Sequence, residues 1–432
     1  MTSQLACIIG LSETEIFMKK SGMMYVFVML GMCGFVGASV GVCMGTSGLF
    51  YSHIAKDLGI SSGSVSLMYT ITALSSAFSG LLIPIVLKNE KMLKPMVITA
   101  SAMCCAGTFL LSLANNILLM YLISVIRGVG SGLLSFVLAT TVINNWFYAR
   151  NGLMVSIAMA FSGLPGVLLA NLITSVIVAN GWRFGFVFVT MIIAVFCLPG
   201  VLLPISLRPQ SIGMEPYGYA DYMKYREENK DKVVFEASSH GVNFLSVEMI
   251  CIMTFTLLVY IVAAMFQHIP SFGLSIGFTA SVSALMSSFA SASNIVSKLL
   301  YGSLCDKLGA HQTSMCWAAI NIISVIMMLT IRTPLTMVIG AFMFGFSFAN
   351  SSSALSILVR ETFGMENYTK VYPFASFVGA SSNALGVTLL GMLYDSTGAY
   401  TADLILCMSC QVIVILMLFT LLRKKQAAKL SA

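Results

Sequence analysis

Long apolar stretches alternate with short polar segments along the whole chain. A helix needs about 20 apolar residues to cross the hydrocarbon core of a membrane, and each stretch has about that length. The pattern therefore predicts an all-α polytopic membrane protein with twelve transmembrane helices. The predicted helices are 22–50, 64–87, 95–114, 117–143, 151–179, 184–207, 245–270, 278–304, 312–331, 335–359, 369–393 and 400–422.

The longest polar segment divides these helices into two sets of six. It is mixed in charge and rich in tyrosine, and two such halves joined by a loop are typical of folds built from repeats. We therefore expect two pseudo-symmetric halves. The predicted organisation is an N-terminal segment 1–21, a first half 22–207, a central loop 208–244, a second half 245–422 and a tail 423–432.

The composition supports a membrane protein and argues against an enzyme. Of the 432 residues, 58% are hydrophobic and 9% are charged, whereas a soluble protein has about 25% charged residues. His and Cys residues form no cluster with metal-ligand spacing, and no catalytic constellation is recognisable. We expect no enzymatic activity, no metal and no cofactor.

The basic residues predict the orientation of the helices. If the N-terminus is cytoplasmic, eighteen of the 23 Lys and Arg residues lie in cytoplasmic segments, and only Lys56, Arg183 and Arg332 lie outside. The positive-inside rule then places both termini in the cytoplasm, and we expect a multi-pass protein of the plasma membrane. The net charge of +7 follows from this bias, so the expected surroundings are a lipid bilayer and no nucleic acid.

The two remaining basic residues, Arg127 and Lys298, lie within predicted helices. A charge at the centre of a membrane helix costs about 2.5–3.5 kcal/mol on insertion scales, and such residues usually face the interior. Each ends or interrupts a row of polar residues at helical spacing. The rows are Ser283, Ser287, Ser291, Asn294 and Lys298 on the eighth helix, and Ser124, Arg127, Ser131 and Ser135 on the fourth.

These rows predict a cavity between the halves in which both cations contact one ligand. The candidate substrate-binding residues are Arg127, Ser131, Ser291, Asn294 and Lys298. Other interpretations stay open, because Lys298 could extend to the interface or have a structural partner. Backbone carbonyls near the neighbouring glycines could equally hold the Arg127 guanidinium.

Two histidines near helix ends are candidates for proton coupling. His53 and His268 lie near the outer ends of the first and seventh predicted helices. Histidine titrates near neutral pH, so either side chain could take part in proton transfer. The alternative is that both are ordinary interfacial residues.

A loop motif at the end of the eighth helix resembles a known superfamily. The stretch Gly302-Ser-Leu-Cys-Asp306-Lys-Leu-Gly309 is similar to the G-x-L-x-D-x-x-G motif of the major facilitator superfamily. In that family the motif takes part in gating, so the resemblance assigns Gly302, Asp306 and Gly309 to a gating loop.

Further stretches narrow the resemblance to the branch of the monocarboxylate transporters and the oxalate:formate antiporters. The stretch 145–153 resembles the W-F-x-x-R-x-G-L motif of that branch, and 162–166 resembles its glycine-rich fifth helix. The segment 209–218 resembles a central-loop segment of bacterial members, and 361–364 and 391–400 resemble the flanks of the eleventh helix.

The resemblance also implies roles for individual residues. The branch carries a basic residue on the eighth helix, usually arginine, that pairs with the substrate carboxylate, and Lys298 stands at its position. Animal monocarboxylate transporters have an Asp for proton coupling where this chain has Asn294. The second basic residue of the oxalate exchanger has no counterpart in 371–393, which leaves Arg127 as the candidate second charge.

Together these features predict a secondary active transporter for a small organic anion, a mono- or dicarboxylate, that works by alternating access. Two cations without counter-ions repel each other in an empty cavity, which favours exchange over net transport. The alternatives are an exporter of amphipathic or drug-like compounds and a membrane sensor or receptor that does not transport. We expect a monomer, as is usual in the superfamily.

Overall fold

A computed structural model describes residues 13–60, 62–220, 223 and 246–430 of the chain. These residues are almost entirely helical, and we name the membrane helices α1–α12. The first half contains α1 (Glu13–Val36, continued by a π-helix Gly37–Met44), α2 (Ser62–Gly80), α3 (Leu93–Leu113), α4 (Ile117–Leu133 and Phe136–Trp146), α5 (Asn151–Ala160, Leu164–Leu168 and the start of Ala170–Leu202) and α6 (the rest of Ala170–Leu202). The second half contains α7 (Val247–Ala264), α8 (Ala280–Leu308), α9 (Ala310–Thr330), α10 (Pro334–Phe344, Ser347–Ala349, the π-helix Asn350–Ala354 and the start of Leu355–Thr397), α11 (the rest of Leu355–Thr397) and α12 (Thr401–Leu430).

Shorter helices connect several of these segments. Tyr51–Leu58 follows α1, Ile83–Val86 follows α2 and Ile269–Ser275 follows α7, while Pro209–Ile212 is a 3₁₀ turn after α6.

Two glycines separate membrane helices that run on in sequence without a loop. Gly181 has φ 83° between α5 and α6, and Gly364 has φ 72° between α10 and α11. Positive φ suits glycine because a Cβ would clash with the backbone there. Each long helical run therefore turns back at its glycine and makes two crossings.

The predicted twelve-helix fold is confirmed. Ten helical stretches in the described residues are long and apolar enough to span a membrane, and one of them, Pro334–Tyr394, contains two crossings on either side of Gly364. The remaining crossing is α8, whose serines, Asn294 and Lys298 make it less apolar than the others.

Some helix boundaries differ from the predicted ones. The fourth helix is interrupted where Ser135 is extended, with ψ −173°. The helix α12 continues to Leu430, beyond the predicted end at residue 422, because the following Arg, Lys, Gln and Ala residues all favour helix. Most of the predicted central loop, 224–244, and residues 1–12 lie outside the described part of the chain.

The bundle has two ends of different character. The basic end is the end at which Lys88, Lys91, Lys94, Arg150 and Arg208 lie. There Arg208 pairs with Glu90 at 3.2 Å. The opposite end carries Asp57, which accepts a hydrogen bond of 3.0 Å from Trp182 Nε1.

Within each half the helices pack against near neighbours, and several helix pairs connect the halves. The helix α4 packs on α2 and α3, while α7 packs on α11. Between the halves α5 contacts α8, and α2 contacts α11, where the rings of Phe78 and Phe377 are 5.0 Å apart. The α5–α8 pair positions the site described next.

Candidate functional site

Lys298 lies inside the bundle and bridges the two halves. Its side chain on α8 is 2% exposed. The ammonium donates to the Met159 carbonyl oxygen at 3.2 Å and to Ser162 Oγ at 2.7 Å. The Phe136 ring of α4 lies 5.8 Å away. Lys298 therefore has a structural partner and does not extend to the interface, and within the described residues it forms no ion pair.

An irregularity in α5 makes this contact possible. Regular helix ends at Ala160, and a 3₁₀-like turn follows, in which the Ser162 and Gly163 amides bond three residues back. Pro165 has no amide hydrogen, so the regular ladder cannot continue through this turn. The turn directs the Ser162 hydroxyl and the Met159 carbonyl oxygen towards α8.

Asn294 and Ser291 lie one and two turns from Lys298 on α8. The Asn294 side chain is close to Gly163 of α5. A Cβ placed on Gly163 would lie 3.3 Å from the side-chain amide carbon of Asn294. Its Oδ1 is buried and accepts no hydrogen bond from the described residues. Ser291 Oγ donates to the Ser287 carbonyl of its own helix at 2.9 Å. An unpaired acceptor is thus next to the buried ammonium.

Arg127 is also buried, with 3% exposure, but its neighbours all belong to the first half. One terminal nitrogen donates to the Cys43 carbonyl of the π-helix in α1. Its Nε has no hydrogen-bond partner among the described residues. A carbonyl of α1 therefore holds this guanidinium, and not one near the neighbouring glycines of α4. Contact of Arg127 with the substrate stays a prediction. Ser131 similarly donates to the Ser39 carbonyl of α1 at 3.3 Å.

The two cations lie at different depths. Lys298 is beside Phe136, which is nine residues beyond Arg127 on α4. At a rise of 1.5 Å per residue this corresponds to about 13 Å along the bundle. The idea that one ligand contacts both cations stays a prediction, and the structure shows no shared neighbour that would bring them together among the described residues.

The motif residues that are predicted to take part in gating lie where α8 meets α5. The Asp306 carboxylate accepts hydrogen bonds from the Gly152 and Leu153 amides, at 3.0 and 3.1 Å. These amides belong to the first turn of α5 and therefore have no acceptor within their own helix, and a negative charge is favourable at this helix end. A Cβ on Gly302 would be 2.6 Å from Ser156 Cβ, so this crossing requires glycine.

Gly309 forms the tight turn between α8 and α9. Its φ of +84° is a conformation that residues with a Cβ rarely adopt. The Ala310 amide that follows donates to Glu361 at 3.1 Å. The turn therefore fixes the α8 terminus that presents Asp306.

The bundle is closed at the basic end. The described hydrogen bonds, ring contacts and close glycine contacts between the halves lie between the level of Asn294 and that end. Tyr368 and Tyr372 of α11 stack at 5.0 Å, and both hydroxyls interact with Thr140 of α4. The described contact between the halves is thus concentrated between the level of Asn294 and the basic end.

Sequence reasoning missed most of these partners. Ser162 stands within a glycine-rich stretch that was recognised as a motif, but its hydroxyl was not assigned a role. The tyrosines of α11 and Thr140 of α4 lack a periodic signal. Only the packing of one half on the other brings them together.

The two histidines are far from Lys298 in the fold. His268 Nε2 is 3.1 Å from the Val387 carbonyl and Nδ1 is 3.5 Å from the Tyr400 hydroxyl, near the opposite end of the second half. His53 is half-buried in the short helix after α1. Proton coupling through either histidine stays a prediction. The described residues contain no group of three or more His, Cys, Asp or Glu positioned to hold a metal.

Comparison with known proteins agrees with this architecture. The sequence profile of the Major Facilitator Superfamily matches residues 33–387. Monocarboxylate transporter 12 of Xenopus laevis is 23% identical over 322 residues, which are 72% of this chain and 70% of that protein. Monocarboxylate transporter 2 of Mesocricetus auratus is 33% identical over 164 residues, which are 37% of this chain and 31% of that protein.

Solved structures show the same fold. The proton:xylose symporter XylE, bound to 6-bromo-6-deoxy-D-glucose, matches with a TM-score of 0.68 at 14% identity. The matched region is 92% of this chain and 94% of the XylE chain. A variant of the Escherichia coli fucose:proton symporter FucP matches with a TM-score of 0.67 at 12% identity. The matched region is 92% of this chain and 98% of the FucP chain. The chain therefore belongs to the Major Facilitator Superfamily, in which it resembles the monocarboxylate transporters, and it is a multi-pass membrane transporter, not an enzyme.

Proposed function

We propose that this protein is a secondary active transporter of a small organic anion, a mono- or dicarboxylate, and that Lys298 binds the carboxylate. The observation that carries the proposal is the Lys298 ammonium, which is buried and has only neutral partners in the part of the chain that the structure describes. A buried cation without a counter-ion favours an anionic ligand electrostatically. The resemblance to proteins named monocarboxylate transporters supports the same class of substrate.

The contacts of Lys298 suggest how binding is coupled to movement. In the structure the ammonium ties α8 to Met159 and Ser162 of the other half. A carboxylate that takes over these hydrogen bonds releases the tie, and the basic end then opens as the halves rock about the site. Asn294 Oδ1 offers an acceptor for a hydroxyl or protonated carboxyl of the ligand, and Ser291 lines the approach from the opposite end.

The same contacts favour exchange. An empty transporter that opens at the basic end loses the hydrogen bonds of the Lys298 ammonium and leaves its charge unpaired. A bound anion replaces them. Loaded transporters therefore reorient faster than empty ones.

The charge bias supports a specific orientation. We propose that the basic end and both termini face the cytoplasm of the cell, with the protein in the plasma membrane as a monomer. The conformation closed at the basic end is then the outward-facing one. Arg127 and Ser131 are buried within the first half, and their contact with the substrate remains a prediction.

The test is counterflow in proteoliposomes with a panel of labelled small carboxylates. We expect one of them to exchange, and Lys298→Gln to slow that exchange roughly 10–100-fold, the loss of one charged hydrogen bond. Lys298→Arg keeps the charge and should retain measurable exchange. The matched control is Lys307→Gln, because Lys307 is an exposed lysine on the same helix.

Three results would contradict the proposal. If no carboxylate exchanges while amphipathic compounds move, the protein is an exporter of such compounds. If nothing moves although the purified protein is folded, a sensor or receptor role replaces transport. Equal exchange by Lys298→Gln and the parent would make Lys298 structural only.

A further inference from the structure

A small cavity adjoins Arg127 within the first half, near the opposite end of the bundle. It leaves about 10 Å³ for the centre of a water-sized sphere, which is the space that one water molecule needs. The residues around it come from α1 and the short helix after it, and from α2, α4 and α6. They are Ser47, Phe50, Tyr51, Ile54, Met68, Tyr69, Arg127 and Phe186.

The guanidinium of Arg127 carries a charge that no carboxylate of the described residues balances. Among the described residues it forms no ion pair, and its one protein acceptor is the Cys43 carbonyl. Its Nε is buried without a hydrogen-bond partner. An arginine stays protonated in proteins, so this charge cannot be removed by loss of a proton.

The cavity also offers further donors. The Tyr51 and Tyr69 side chains both line it together with Arg127. Ser47 is not among the free donors, because its hydroxyl already donates to the Cys43 carbonyl at 2.9 Å. A charged side chain and two tyrosines thus line a space of atomic size.

We propose that Arg127, Tyr51 and Tyr69 form a binding site for a small inorganic anion of halide size, separate from the Lys298 site. A monatomic anion is closer in size to the water molecule that the cavity admits than an organic carboxylate is, and it can bind with a small outward shift of the lining side chains. The site lies wholly within one half, so it stays intact when the halves rock. Its role is to neutralise Arg127 and stabilise the first half.

Two other groups compete as counter-ions. The Cys43 thiol lies beside Arg127 and hydrogen-bonds to Cys104, and as a thiolate it would balance the charge without a bound ion. The transported anion would do so if it reached Arg127 from the opposite end. The variants below distinguish all three.

The test is thermal unfolding of the purified full-length protein in detergent, titrated with sodium chloride or bromide against sodium gluconate at constant ionic strength. We expect a saturable rise of the midpoint by about 3 °C in chloride or bromide and none in gluconate. Arg127→Gln should abolish the rise. The double variant Tyr51→Phe, Tyr69→Phe removes only hydroxyls and should raise the apparent dissociation constant about tenfold.

The controls separate this site from the proposed transport function. Lys298→Gln should lose carboxylate exchange and keep the halide effect, and Cys43→Ser should keep it as well. A midpoint that does not respond to halides, or that responds equally in the parent, the tyrosine double variant and Arg127→Gln, overturns the proposal. So does a halide effect that disappears with Lys298→Gln or Cys43→Ser. A halide-insensitive parent whose carboxylate KM rises with Arg127→Gln would instead assign Arg127 to the substrate.

Discussion

The ammonium of Lys298 and the amide oxygen of Asn294 share one face of α8, four residues apart. The ammonium has two neutral acceptors, and the amide oxygen has no donor among the described residues. Side chains four residues apart on a helix interact directly. The identity of residue 294 therefore controls the charge that the site presents to an anion.

Asn294→Asp is expected to convert this site into a pH-dependent one. The new carboxylate would pair with Lys298 and compete with the substrate, so the KM for the transported anion should rise at neutral pH. Protonation of the carboxyl at lower pH should restore the parental KM. Exchange measured between pH 5 and pH 8 checks this, with Asn294→Ser as the uncharged control, and a KM that is equal in Asn294→Asp and Asn294→Ser at every pH would contradict it.

The burial of the two cations could be predicted from the sequence, but their partners could not. Charge within an apolar stretch identified Lys298 and Arg127 as interior residues, and both are at least 97% buried. The acceptors of both cations include backbone carbonyls, of Met159 and Cys43. Every residue has a carbonyl, so only the irregular backbone of α5 and α1 shows which ones are available.

At the scale of elements, the crossing of α5 and α8 combines a charged cap with close packing. Asp306 caps the first turn of α5, and one turn earlier on α8 Gly302 allows contact with Ser156. A Cβ on Gly302 would also be 2.7 Å from the Gly152 carbonyl oxygen. In the transport cycle proposed above this contact is broken when the basic end opens, so its packing is expected to affect the balance between the two conformations.

Gly302→Ala is expected to destabilise the closed basic end. The added methyl group overpacks the crossing at a cost of about 1–3 kcal/mol, which lowers the closed population roughly 5- to 100-fold relative to the open one. Spin labels on Met92 and Leu308, both exposed at the basic end of different halves, should show longer distances by electron paramagnetic resonance.

Ser303→Ala is the matched control for this experiment. Ser303 is the exposed neighbour of Gly302, and its hydroxyl bonds only to the Leu299 carbonyl of its own helix at 3.1 Å. Its distance distribution should equal that of the parent. A parental distribution in Gly302→Ala would show that the crossing tolerates the methyl group and does not set the conformational balance.

The hydrophobic pattern predicted all twelve helices but not their irregularities. The π-helices Gly37–Met44 and Asn350–Ala354 lie in stretches whose residues give no local signal for an extra residue per turn. They form where tertiary contacts compete with the regular ladder, as at the Cys43 carbonyl bound by Arg127. Such features depend on the neighbouring helices and are invisible to a count of apolar residues.

At the scale of the whole molecule, the turns of the two halves correspond. Gly364 connects α10 to α11 at φ 72°, and the equivalent turn from α4 to α5 has Arg150 at φ 52°. Gly181 and Gly398, both with positive φ, stand at the other pair of equivalent turns. The halves thus repeat the same backbone path with different side chains, which suits two rigid bodies that move about a site between them.

Because Lys298 has no carboxylate partner among the described residues, the electric charge that crosses the membrane differs between the loaded and the empty protein. A bound monocarboxylate cancels the ammonium, whereas the empty site moves one positive charge. Moving one elementary charge through 100 mV is worth about 2.3 kcal/mol.

A voltage set with potassium and valinomycin should leave monocarboxylate exchange unchanged and should alter net efflux into an anion-free medium severalfold. Exchange that varied as strongly as net efflux would mean that the charge of Lys298 is not neutralised by the substrate. If monocarboxylate exchange is insensitive to voltage, as expected, the membrane potential of a cell with a negative interior acts on the unloaded return step alone.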